Sequence, residues 1–175
     1  ICIIYFLALG VSAHLLDAVG GKTKPWGDLP KRKLLAVSMI VLAIAFSIGI
    51  YYAFLDSPLL FVIGIIEGFF LFAYNLELFG GRFHNNASTI FSWAVLPVFA
   101  GSVIQTNSIT LEAIIISGIT AIITYVLITT SRKYKHLKRD NGNYLEIKKC
   151  ESVLKIISIG VLVGTLLIFV LRFYG

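Results

Sequence analysis

The chain has 175 residues, 58% of them apolar and 14% charged, with a formal net charge of +6 and a mean hydropathy of +0.90. A water-soluble domain averages ~45–50% apolar and ~25% charged residues, so a soluble fold is excluded, and disorder, a collagen-like repeat and a disulfide-dense scaffold are excluded with it. The basic residues avoid the apolar runs and gather in loops, which fits topology determinants better than a nucleic-acid-facing stripe, and no nucleic-acid partner is expected.

A stretch of ~17–25 apolar residues rising 1.5 Å each matches the ~30 Å hydrocarbon layer. Six segments qualify, the first only just: Ile1 to about Leu16, Leu34 to Leu55, Pro58 to Phe79, Ala87 to Gln105, Ile109 to Thr130 and Val153 to Tyr174. The runs are continuous rather than alternating, which predicts helices and not barrel strands. The expected fold class is therefore all-α, a polytopic transmembrane bundle forming one domain over residues 1–175. Asp56-Ser57-Pro58 and Thr106-Asn107-Ser108 are tight polar links with residues suited to capping, so spans two and three, and four and five, read as helical hairpins. The chain starts with Ile inside one apolar run and stops at the close of another, and it is expected to be an internal fragment of a longer protein.

Charge divides the loops. Lys22, Lys24, Lys31, Arg32 and Lys33 lie between spans one and two, Arg82 between three and four, and a basic stretch from Arg132 to Lys149 between five and six. The two short hairpin loops hold no Lys or Arg. The positive-inside rule then predicts a multi-pass protein of the cell membrane with its basic loops on the cytoplasmic side. Cys2 and Cys150 have no partner spacing for zinc or a redox pair.

Ionisable groups inside a span cost on the order of 2.5–3.5 kcal/mol each at the centre, so each needs a reason. His14 and Asp17 are i and i+3 at the end of span one, on one helix face, ahead of Gly20-Gly21-Lys22-Thr23-Lys24. That arrangement suits a metal shared by imidazole and carboxylate, a phosphate held by Lys22 and Lys24, or simply a polar helix end at the membrane surface. Span three carries Glu67 near its midpoint and Tyr74, Asn75 and Glu77 toward its basic end, with Gly80-Gly81 and then Arg82 and His84 following. Either Glu67 has a functional role or its carboxyl bonds a neighbouring helix. Thr129 to Asp140, with Arg132 and Lys133, reads as a basic loop that suits a diphosphate or anionic lipid, or that orients the chain by charge alone.

The order of these features resembles the UbiA-type superfamily of intramembrane prenyltransferases, which move an isoprenoid from its diphosphate to a lipophilic acceptor. The family's first acidic segment, Asn-Asp-x-x-Asp, falls on Ala13-His14-Leu15-Leu16-Asp17, where the last acid is kept and His14 replaces the other. Its tyrosine-led stretch is similar to Tyr74-Asn75-Leu76-Glu77-Leu78-Phe79-Gly80-Gly81-Arg82, and its fifth span to Phe91 through Gly101 ending in Gln105-Thr106. Where a second Asp-rich segment is expected, Thr130, Ser131, Arg132 and Lys133 stand instead.

The resemblance implies a nine-span helical fold of which this chain is the second to seventh, and an isoprenyl diphosphate and a lipophilic acceptor as partners. It implies Asp17, Tyr74, Asn75 and Glu77 as catalytic residues, Lys22, Arg82, Arg132 and Lys133 as diphosphate ligands, and magnesium at Asp17 and His14. Magnesium ordinarily sits between carboxylates and substrate phosphates, so the missing acidic segment leaves two rival readings. One is a non-catalytic protein binding a polyisoprenoid or anionic lipid; the other is a small transporter with Glu67 as its ion site.

Overall fold

A computed structural model describes residues 2–20, 29–55 and 57–174. Lys22, Lys24 and Asp56 lie outside the described residues. Six apolar helical segments form among those described: α1 (Cys2–Gly20), α2 (Lys31–Leu55), α3 (Leu59–Asn75), α4 (Asn86–Thr106), α5 (Leu111–Arg139) and α6 (Tyr144–Tyr174). No strand occurs among the described residues. Five of the six are long and apolar enough to cross a membrane; α3, at 17 residues, is the short one. Large apolar side chains such as Phe54, Ile65, Leu166 and Phe173 are well exposed, as suits helices whose solvent is hydrocarbon.

Local chemistry sets the helix ends. Pro30 and Pro58 precede α2 and α3, and the carbonyl of Pro30 accepts from Lys33 and Leu34 N–H while that of Pro58 accepts from Phe61 N–H. α3 stops earlier than its hydropathy predicts. Leu78 N–H bonds Ala73 O at 3.1 Å and Glu77 N–H bonds Tyr74 O at 3.3 Å, with Glu77 left-handed at φ 50°, a closure that satisfies the last carbonyls and turns the chain out of the helix. Glu77 and Phe79, expected inside span three, therefore lie beyond its end.

The basic stretch corrects the reading in the other direction. Residues Thr129 to Arg139 continue α5 rather than forming a loop, because no Gly or Pro interrupts them and Lys and Arg in a last turn complement the helix dipole. Asn141, at φ 50°, then allows Gly142 N–H to reach Leu137 O at 2.8 Å, and α6 follows.

The chain divides into two compact units, residues 1–121 and 122–175. In the first, Ser12 and Ser38, both fully buried, join α1 to α2: Ser12 Oγ donates to Ser38 O at 3.1 Å and Ser38 Oγ to Ser12 O at 3.3 Å. Small residues at such a seam let backbones approach closely. Leu16, Leu42 and Leu71 form one apolar cluster and Ile63, Ala100 and Val103 another. Both expected hairpins form. Phe54 meets Phe61 edge-on at 4.9 Å across the α2–α3 turn, and Asn107, left-handed, returns its N–H to Val103 O at 2.7 Å before α5. In the second unit, Lys133 pairs with Glu146 at 3.0 Å and Cys150 is buried.

Candidate functional site

Two of the helices in the first unit change register. Phe6–Ser12 in α1 and Phe91–Val95 in α4 are π-helical, with Ala13 N–H bonded to Ala8 O and Leu96 N–H to Phe91 O. In α4 the cause is Pro97, which has no N–H to donate and whose ring crowds the carbonyl four residues back; one wide turn absorbs it. Such turns often mark functional sites. Here both face one cavity of about 240 Å³.

That cavity is lined by Ala8 and Leu9 of the first π segment and Ser92 and Trp93 of the second, with Phe46 and Gly49 of α2 and Leu60, Gly64, Glu67 and Leu71 of α3 among its other walls. It shares walls with both apolar clusters and so lies between them. From Leu60 to Leu71 it extends roughly 16 Å along α3, at 1.5 Å per residue. Its lining is overwhelmingly hydrocarbon.

Glu67 is the sequence-expected residue that this cavity contains. Its Oε1 accepts a hydrogen bond from the Tyr5 hydroxyl, 62 positions away on α1, so the carboxyl does bond a neighbouring helix. Tyr5 also lines the cavity. Its place inside span one was the one available signal, and it lacked the charge that singled out Glu67.

Four of the remaining expected residues, His14, Asp17, Tyr74 and Asn75, lie near the Gly20 and Asn75 ends of α1 and α3. A Cβ on Gly20 would overlap the Asn75 carbonyl oxygen and stand 2.7 Å from Leu76 Cα, so the two ends touch backbone to backbone. Asp17, half-buried, and His14, exposed, sit on α1 within two turns of this contact. Asn75 is buried and donates from Nδ2 to Leu71 O at 2.7 Å. Tyr74 stacks on His84, ring centroids 4.3 Å apart and 15° from parallel, and meets the Trp93 ring at 6.1 Å. Trp93 is therefore the common wall between the apolar cavity and the Tyr74 end.

Glu77 and Arg82 are exposed on the connection from α3 to α4, and among the described residues no ion pair joins them. Phe83 pins that connection, meeting Phe69 at 5.1 Å, Phe79 at 5.8 Å and Phe70 at 5.9 Å. Asn85 Oδ1 caps α4 by accepting from Ser88 N–H at 2.9 Å. Asn86 Oδ1 is buried with no hydrogen-bond partner among the described residues. Arg132 and Lys133 belong to the second unit, on α5, where Lys133 is engaged by Glu146.

No three His, Cys, Asp or Glu side chains come together as a metal-ligand set among the described residues. Asp17 and His14 supply one oxygen-bearing group and one imidazole, short of the oxygen-rich octahedron that magnesium requires. The described residues do not by themselves fit a magnesium site.

The model of the UbiA prenyltransferase family matches residues 22–175. The chain belongs to that family. This match agrees with the all-α polytopic fold and the membrane-spanning helices, and its range takes in the tyrosine-led stretch from Tyr74 to Arg82. It begins after His14 and Asp17, so their roles rest on the acidic-segment resemblance. No curated protein and no solved structure matches the chain.

Proposed function

We propose that this UbiA-family protein transfers an isoprenoid from its diphosphate to a lipophilic acceptor, with the hydrocarbon of the substrates in the apolar cavity and the diphosphate at the Tyr74 end. The observation that carries the reading is Trp93, which walls the cavity and meets Tyr74 at 6.1 Å. Transfer breaks the allylic C–O bond, the electron pair leaves with diphosphate, and positive charge develops on the prenyl carbon. Aromatic faces favour such charge, and Trp93 and Tyr74 offer two at the boundary between hydrocarbon and polar surroundings.

In this reading Asp17, Tyr74, Asn75 and Glu77 line the reacting end, and Arg82 meets phosphate oxygens. Lys22, Arg132 and Lys133 enter as phosphate ligands from sequence alone, and the basic loops face the cytoplasm of the cell membrane. Magnesium enters only as an ion accompanying the diphosphate, near Asp17 and His14. A second reading, a non-catalytic isoprenoid or anionic-lipid binder, is favoured by the lack of a metal-ligand set among the described residues.

Binding of geranylgeranyl diphosphate to the full-length protein, with and without magnesium, separates the two. Magnesium-dependent binding that Asp17→Asn abolishes supports transfer; binding indifferent to both supports the lipid binder. Absence of binding defeats both.

A further inference from the structure

The Glu67–Tyr5 pair stands in the cavity with no part in the reaction outlined above. Hydrocarbon satisfies nothing on it. The phenol gives its only proton to Glu67 Oε1, which leaves the phenol oxygen with free lone pairs and the carboxyl with a second oxygen. Elsewhere in the lining, Ser92 Oγ is already committed to Ser88 O at 2.7 Å. The pair is thus a localised, half-buried polar spot in an apolar chamber, and hydrocarbon beside a carboxyl is costly.

Its position is defined. Glu67 is seven residues from Leu60 and four from Leu71, both of which line the cavity, placing the spot roughly 10 Å and 6 Å from the two ends along α3. Gly49 and Gly64, which also line the cavity, have open space where a Cβ would stand, so the volume beside the pair is unobstructed.

We infer that Glu67 and Tyr5 form a specificity site for a hydroxyl carried by a lipophilic acceptor, whose hydrocarbon fills the rest of the cavity. A hydroxyl is the matching group because it both donates and accepts, and so completes the pair whichever oxygen it meets. The hydroxyl is held, not transferred to, which makes Glu67 and Tyr5 positioning residues. The inference rests on the reading of the cavity as a lipophilic-substrate site.

The test compares geranylgeraniol with the hydrocarbon of the same skeleton lacking the hydroxyl, each bound to the purified full-length protein and followed by Trp fluorescence. The wild type should bind the alcohol about tenfold more tightly, the factor that one net hydrogen bond of about 1.4 kcal/mol confers. Tyr5→Phe and Glu67→Leu should each abolish that preference while leaving hydrocarbon affinity within about twofold, and Glu67→Gln, which keeps a polar group, should retain part of it. Equal wild-type affinities for the two probes overturn the inference without any variant, as does a preference that survives both Tyr5→Phe and Glu67→Leu. Failure of the alcohol to bind overturns it too. Geranylgeranyl diphosphate binding is scored separately: diphosphate binding without a hydroxyl preference defeats this inference alone, and a hydroxyl preference without diphosphate binding defeats the transfer reading alone.

Discussion

Gly20 and Asn75 meet so closely that the end of α1 has no room for a side chain against the end of α3. The contact holds the helix carrying His14 and Asp17 against the one carrying Tyr74, and it depends on one missing methyl group.

Gly20→Ala should therefore destabilise the protein by about 1–3 kcal/mol, the usual range for overpacking, seen as a lowered unfolding temperature in detergent. Gly64→Ala is the comparison, since nothing lies within 4 Å of the added Cβ. It should leave stability unchanged or slightly raised. An unaltered unfolding temperature for Gly20→Ala contradicts the contact.

Filling the chamber is a separate matter. Gly64→Leu puts a branched side chain into the cavity beside Glu67 and should cut the affinity for geranylgeranyl diphosphate at least tenfold with little loss of stability. Equal affinity in titrations of wild type and variant would place the prenyl chain elsewhere.

Glu77 occupies a left-handed position that costs a residue with a Cβ roughly 1–2 kcal/mol. Glu77→Gly should raise stability by about 1 kcal/mol. The same substitution removes a carboxylate from the proposed reacting end, so a more stable protein with weaker magnesium-dependent binding is the expected pairing. Denaturation and binding measured on one preparation check both halves.

Ser12 and Ser38 exchange hydrogen bonds at a buried seam in the membrane. Polar pairs between membrane helices contribute about 0.6 kcal/mol on average and up to about 1.7. The two hydroxyls also bond each other, Oγ to Oγ at 2.5 Å, so a double-mutant cycle of Ser12→Ala and Ser38→Ala should return a coupling in that range; additive effects of the two changes would show that this side-chain bond does not couple the helices.

Pro97 is the reason α4 widens at Trp93. Pro97→Ala removes the crowding and supplies an N–H, so the segment should revert to regular α-helix and gain stability, since Pro in a helix interior costs about 3 kcal/mol relative to Ala. Trp93 would rotate with the register, shifting its fluorescence and weakening prenyl diphosphate binding. A spectrum and affinity unchanged from wild type would remove the π turn from the functional argument.

Hydropathy and charge along the chain were enough to establish a polytopic helical membrane protein and its two hairpins. These are local properties: each apolar run must satisfy its own backbone in lipid, and each turn is written in a few adjacent residues. Two boundaries escaped that logic because backbone geometry overrode composition. α3 stopped at Asn75 where Glu77 turned left-handed, and the basic stretch after Thr129 stayed helical because charge alone does not break a helix. The partnership of Tyr5 with Glu67, the closeness of Gly20 to Asn75 and the convergence of two π segments on one cavity were decided only by tertiary structure. Each depends on which faces of distant helices meet, and that is fixed by side-chain packing across the bundle rather than by any neighbouring residue.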